Sequence, residues 1–280
     1  MRIETVRIDS GLGRFCYHEW RPPLFAGLVD RLWYSEGTTT LPRKRIFPNG
    51  MIELLLNLGE PMRLVEGAGA ELFARGSLSG LHSGAIVIEM GASYATLGIR
   101  LRPAGAYALL ARPLHAVSDY TVDLHDLVGT AAAELAERCH DAATVEARFE
   151  RAAAWLRERL LRARGVDPAV AWSMERLERS AGDVSIAELR ERTGWSKTQL
   201  ARAFREQIGF TPKHYARILR FRRLLAVLHG GESSLIDAAL EAGYYDQPHM
   251  SGEFRAFTGM TPRAFIAAQR YGQTFSVAQD

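Results

Sequence analysis

Apolar residues in the first part of the chain come in short runs broken by glycine and proline. Beyond Leu124 they recur every three or four positions. The runs Met51–Leu58, Ala85–Met90 and Ala95–Leu101 have the length of strands. Pro48-Asn49-Gly50, Gly67-Ala68-Gly69 and Gly91-Ala92-Ser93 beside them read as turns. This texture predicts a β-rich barrel or sandwich. The later texture predicts helices. Ala131–His140 is dense in Ala, Glu and Leu, and Val145, Phe149, Ala152, Leu156 and Leu160 fall on one helical face. That face either closes the β-rich domain or pairs with the same helix of a second subunit, because both arrangements need the same pattern. Arg162–Pro168 reads as a linker, and tightly connected helical segments follow it. The expected fold class is α+β. A β-rich barrel- or sandwich-like domain with following helices spans residues 1–162, a linker 163–168, an all-α domain 169–272 and a tail 273–280.

The all-α part contains a degenerate duplication. Ser196-Lys-Thr-Gln-Leu-Ala-Arg-Ala-Phe204 aligns with Asp246-Gln-Pro-His-Met-Ser-Gly-Glu-Phe254, and Gly209-Phe-Thr-Pro212 with Gly259-Met-Thr-Pro262. The offset is about 50 residues, which suits a tandem structural unit. In the first copy Ser185 caps a helix through Ile186, Leu189 and Arg192, Gly194 makes the turn, and Ser196 caps Lys197–Ile208. A short helix, a tight glycine turn and a second helix make a helix-turn-helix. Ile186, Leu189, Trp195, Leu200, Phe204 and Ile208 form its inward face. Lys197, Thr198, Gln199, Ala201, Arg202 and Arg205 face outward, a polar and basic set suited to base edges and phosphates. In the second copy Ser234 caps Leu235–Ala242, Gly243 makes a turn one residue longer, and Asp246 caps a helix to Thr258. Gln247, His249, Ser251 and Arg255 face outward, and Pro248 is tolerated in the first turn. Pro212–His229 joins the copies as one helix of roughly 25 Å, carrying Arg217, Arg220, Arg222 and Arg223. Such a rod suits two reading heads about one DNA turn, roughly 34 Å, apart.

The bulk properties agree with this reading. The chain has 280 residues, 47% hydrophobic and 24% charged, with a formal charge of +3 and a pI near 9.0. That length suits two domains, and the basic balance hints at a polyanionic partner. Cys16 and Cys139 stand in no motif, which excludes a disulfide framework and a cysteine-based zinc site. The N-terminus, MRIETVRIDSG, lacks the apolar core of a signal peptide, and no run approaches the roughly 20 apolar residues of a membrane span. A cytoplasmic protein with no membrane partner is expected.

For the β-rich domain the expectation is an effector pocket or a dimer interface. Trp33, Tyr34, Glu53, Arg100 and Arg102 are its candidate ligand-binding residues. Arg100 and Arg102 alternate with Ile99 and Leu101, so on a strand they share a face. There they either hold a carboxylate or phosphate, or lie on a solvated face or pair with Glu53 or Glu89. His18, His82, His115 and His125 have no metal-ligand spacing, so neither a metal nor a cofactor is expected. Nucleophile and phosphate-loop motifs are absent, and Gly76-Ser-Leu-Ser-Gly80 has the wrong serine spacing for a nucleophile elbow. An enzyme is therefore not expected.

The segment from Ser185 to Ala268 resembles the DNA-binding domain of the AraC/XylS family of transcriptional regulators. The resemblance rests on Gly243-Tyr-Tyr-Asp-Gln-Pro-His-Met, Glu253-Phe-Arg-Ala-Phe and Gly259-Met-Thr-Pro-Arg-Ala-Phe265. It implies seven helices, with two recognition helices joined by a linker helix. It also implies double-stranded promoter DNA and RNA polymerase as partners, an activator by family tendency, and contacts from Lys197, Thr198, Ala201 and Arg202. In the second unit the implied contacts are Gln247, Pro248, His249, Ser251 and Gly252, with Gly252 standing where many members carry Arg. The stretches Val29–Tyr34, Phe47–Gly59 and Leu97–Tyr107 are similar to the sensor portion of a subset of these regulators. Three functions follow. The first is a regulator responsive to a small-molecule effector, with or without homodimerisation. The second is a constitutive DNA binder whose N-terminal half only dimerises, and the third is an enzyme domain directed by a DNA-binding one.

Overall fold

A computed structural model of the chain describes residues 1–10, 13–41, 43–69, 72–161, 163–230, 234–270 and 275–276. Arg162 and all but two residues of the expected tail lie outside these. Thirteen strands among the described residues form two sheets. They are β1 (Glu4–Ser10), β2 (Gly13–Trp20), β3 (Val29–Thr39), β4 (Arg43–Ile46), β5 (Ile52–Asn57), β6 (Met62–Glu66), β7 (Ala68–Gly69), β8 (Leu72–Phe73), β9 (Gly76–Ser79), β10 (Ile86–Glu89), β11 (Ser93–Leu101), β12 (Tyr120–Asp123) and β13 (Phe275–Ser276). The larger sheet has the order β1-β2-β3-β11-β5-β9-β12-β7, the smaller β13-β4-β10-β6-β8. Gly67-Ala68-Gly69, expected as a turn, supplies the short β7, which runs parallel to β12.

The register separates the two faces of the larger sheet. On one face Trp20, Leu32, Ile99, Leu54 and Leu78 lie in a row, with Tyr34, Leu97 and Leu56 beside them. Apart from Trp20, which is half-buried, all of these are buried. Four helices cover this face: α1 (Pro103–Leu110), α2 (Leu124–Val128), α3 (Thr130–His140) and α4 (Val145–Leu160). Helix α4 settles the choice left open by the pattern. Its Phe149, Ala152, Trp155 and Leu156 join the same core as Leu32 and Leu54. Phe149 stacks on Trp20 at 6.3 Å, and the Arg148 guanidinium lies 4.7 Å over the Tyr34 ring. The helix closes the β-rich domain. Each large side chain buried this way contributes about 1.5–3 kcal/mol.

Seven helices follow: α5 (Pro168–Arg179), α6 (Ile186–Thr193), α7 (Lys197–Gln207), α8 (Pro212–Gly230), α9 (Leu235–Glu241), α10 (Gln247–Thr258) and α11 (Pro262–Arg270). The linker is packed down at its end: Asp167 N–H donates to Gln207 Oε1 at 2.7 Å, and the Asp167 carboxylate caps α5. The helical part docks on the β-rich part at two places. Val170, Met174, Leu200 and Phe204 share one core with Leu109, Leu110 and Leu114. Phe47, at the end of β4, is buried in a second core with Phe221, Phe254 and Phe265. No helix among the described residues is long and apolar enough to cross a membrane.

Candidate nucleic-acid interface

Local chemistry sets each helix-turn-helix. In the first unit Ser185 Oγ accepts from Glu188 N–H at 3.0 Å, so α6 begins there. It ends at Gly194, whose φ of 69° is a left-handed position that favours glycine. Ser196 and Gln199 then form a reciprocal capping box. Gln199 N–H donates to Ser196 Oγ at 3.2 Å, and Ser196 N–H donates to Gln199 Oε1 at 3.0 Å. Leu189, Leu200, Phe204 and Ile208 are buried, while Ile186 and Trp195 are half-buried at the margin of the same core. Lys197, Thr198, Gln199, Arg202 and Arg205 are exposed and Ala201 is half-buried. The box engages the Gln199 carbonyl oxygen and leaves its amide donors open to an outside partner.

The second unit repeats the plan. Ser234 Oγ accepts from Asp237 N–H at 3.2 Å, Gly243 turns at φ 83°, and the Asp246 carboxylate accepts from His249 N–H at 2.7 Å. Met250, Phe254 and Phe257 are buried. Pro248, His249, Gly252 and Arg255 are exposed, and Gln247 and Ser251 half-buried. Both recognition helices thus turn their apolar residues against α8 and its neighbours, and their polar N-terminal halves outward. Helix α8 has 19 residues, a length of roughly 28 Å.

Two residues of this surface escaped the pattern. Tyr245, in the longer turn, is 89% exposed, beside a Tyr244 that is buried. Glu253, on α10, accepts from Arg217 Nε of α8 at 2.5 Å, and His249 Nε2 lies 3.9 Å from the same carboxylate. Burial first, then the Glu253 charge, pushes the Tyr244 phenol well up. This cluster fixes the rotation of α10 against α8. The turn length pointed to Tyr245, but the Arg217–Glu253 pair joins residues 36 apart and leaves no local signal.

The five candidate ligand residues are only partly brought together. Trp33, Glu53 and Arg100 share the second face of the larger sheet. Trp33 Nε1 donates to Glu53 Oε2 at 3.1 Å, and Arg100 Nε donates to Glu53 Oε1 at 2.5 Å. Tyr34 points the other way, since successive strand residues alternate. It is buried under α4 and donates to Glu36 at 2.7 Å. Arg102 does not share a strand face with Arg100. The strand ends at Leu101 and Arg102 is the N-cap of α1, with Pro103 in the first turn. Its guanidinium pairs with Glu178 of α5 at 2.8 Å, and Tyr215 of α8 donates to the same carboxylate at 3.0 Å. Arg100 pairs with Glu53, one of the two acids foreseen, whereas Arg102 pairs with neither Glu53 nor Glu89 but with Glu178.

Two glycine-turned helix pairs on one connecting helix define a double helix-turn-helix protein. Residues 189–268 match the family model described as a helix-turn-helix domain. Residues 21–123 match a domain of unknown function, DUF6597. An HTH-type transcriptional regulator of Bacillus subtilis, YbfI, is 41% identical over 73 residues, 26% of this chain and 26% of its own. The HTH-type transcriptional regulator ArgR of Pseudomonas aeruginosa is 34% identical over 80 residues, 29% of this chain and 24% of its own. The chain spans about a quarter or less of the length of the curated relatives it matches. Among solved structures, a Chromobacterium violaceum regulator with an AraC-type DNA-binding domain is 26% identical and covers 36% of this chain and 92% of its own, with a TM-score of 0.33. ToxT from Vibrio cholerae is 10% identical over 95% of this chain and 97% of its own, with a TM-score of 0.44. The C-terminal part holds a helix-turn-helix domain. Both relatives are HTH-type transcriptional regulators by name.

Proposed function

We propose that the chain is a sequence-specific transcriptional regulator that lays α7 and α10 into successive major-groove segments of promoter DNA and responds to a small effector. The observation that carries this is the repeated plan of α7 and α10. Each has a capped, outward-facing polar half and an apolar half anchored to α8. In this reading Lys197, Thr198, Gln199, Ala201, Arg202 and Arg205 line the first contact. Gln247, Pro248, His249, Ser251, Gly252 and Arg255 line the second. Residues 1–162 are the sensing part and 169–272 the reading part, acting in the cytoplasm, with RNA polymerase as the further partner. The effector reading is supported by the docking of the sensing part on both units, which gives bound ligand a route to the DNA surface. The test is a selection of fragmented source DNA by the purified chain at near-physiological salt. Recovery of a few promoter fragments sharing two short motifs about one turn apart is the expected result. Uniform recovery of all fragments would sink the reading. Affinity should fall steeply with added salt, as phosphate contacts release counterions.

A further inference from the structure

Glycine inside a helix weakens it, because the residue gives up more backbone freedom than any other and adds no side chain. A fold keeps one there when a neighbour presses on it or the backbone must turn. Gly105 in α1 meets the first condition, since a Cβ there would collide with the Leu28 carbonyl oxygen. Gly194, Gly243 and Gly259 meet the second, with φ between 69° and 83°. Gly252, near the middle of α10, meets neither. Its backbone is helical, it is exposed, and an added Cβ would enter open space. Among the described residues nothing calls for glycine at this position.

Its surroundings make a bare track along the outer face of the helix. The duplication sets Thr198 against Pro248 and Arg202 against Gly252. Where α7 presents a hydroxyl and a guanidinium, α10 therefore presents a pyrrolidine ring and naked backbone. Pro248 and Gly252 are four residues apart, hence neighbours on one face, and both are exposed. His249, beside them, leans inward. Its ring stands edge-on to the buried Tyr244 at 5.4 Å, and its Nε2 lies 3.9 Å from the Glu253 carboxylate that Arg217 holds. It leaves Gly252 uncovered.

We infer that Gly252 is a specificity-determining residue: it lets α10 seat close against the base edges, and the second DNA segment is selected by contact with thymine. The thymine 5-methyl is the apolar group that base pairs show in the major groove. The Pro248 ring and the Gly252 Cα pack on that methyl, and a side chain at position 252 would hold the helix off it. The contact favours thymine by removing apolar surface from water, with no hydrogen bond required. The inference rests on the major-groove reading of α10 and names the base that the second unit selects. The first unit offers hydrogen-bonding side chains, and the second offers shape.

The test selects duplexes from a randomised pool with the full chain and, in parallel, with Gly252→Ala. The native chain is expected to enrich a two-part motif with thymine fixed in one part, and the variant should lose preference in that part alone. Replacing the fixed thymine by uracil, which lacks the methyl, should weaken native binding about fourfold, the value of one buried methyl. Gly252→Ala should raise Tm by about 2–4 °C, because alanine is the better helix former. It should also bind the selected duplex about tenfold more weakly, as an overfilled contact does. Opposite signs for stability and DNA affinity mark a glycine kept for an outside partner. A lowered Tm would assign the glycine to the fold and overturn the inference. So would a motif without a fixed thymine, or a preference that survives the change to uracil. A motif bound equally by both chains removes the role of Gly252 and leaves the sequence-specific reading standing. If the native chain enriches no motif, that reading fails and the inference falls with it.

Discussion

Helix α7 turns Leu200, Phe204 and Ile208 into a core that runs without a break into the β-rich domain, through Leu109, Leu110 and Leu114 to Leu54 and Ile99. Helix α10 turns Met250, Phe254 and Phe257 into a separate core, to which the β-rich domain contributes the buried Phe47. Two units of one local plan are therefore held differently. The first shares the fate of the whole domain core, while the second is attached by a plug and by the Arg45 contact at the end of α10. In a packed core, opening requires separating everything in it. A single inserted ring can be withdrawn at smaller cost. The second unit is the one whose position a change in the β-rich domain can alter.

The sharpest way to break this comparison is Phe47→Ala. Phe47 is 3% exposed, and removing a buried phenyl costs about 3–5 kcal/mol where the cavity cannot collapse. Hydrogen exchange should show lost protection in α9 and α10 and little change in α7. Equal loss in both units would mean that the two cores act as one.

A smaller effect is expected from pH. His82 lies in the loop that passes α10 near Ala256, and its Nε2 is 2.8 Å from Ser79 Oγ. Burial pushes its pKa down from 6.5 to about 4. Above pH 6.5 the ring is neutral whether the chain is folded or not. Between 6.5 and 4 the unfolded chain takes up a proton that the native one refuses, so stability falls as pH falls. The loss ends near pH 4 and amounts to at most about 3 kcal/mol. Denaturant melts from pH 7.5 to 4 should show this slope in the native chain and lose it in His82→Gln.

On DNA, Arg202→Ala should cost about 1–3 kcal/mol, confined to one base pair, if the side chain reads a base. Binding to operator variants distinguishes this from a uniform loss, which would assign the arginine to the phosphate backbone. The smallest effect is at the caps. Ser196→Ala and Asp246→Ala should each cost about 1 kcal/mol by chemical denaturation. Ser196 should be the costlier, because its loss also leaves Gln199 without half of the box.

Much of the helical domain was legible because its signals are local. Ser185, Ser196, Ser234 and Asp246 cap the helices they precede, Gly194 and Gly243 take the left-handed turns, and the phenylalanines face inward. A capping side chain reaches only two or three residues along, so residue type and spacing are enough. One misread position lies where an element stops. Arg102 was placed on a strand that Pro103 ends, and proline in the first turn of a helix was the available signal. Tyr34 was grouped with Trp33, although strand alternation separates neighbours.

By itself the sequence determined the helices, their caps and turns, the duplicated unit and the faces that must be buried, because these follow from backbone chemistry and periodicity over a few residues. Only the tertiary structure decided what each face meets. It put α4 on the larger sheet, Phe47 in the second unit's core, and Glu178 between Arg102 and Tyr215. Periodicity states that a side chain leaves water; it carries no information on which distant part of the chain will cover it.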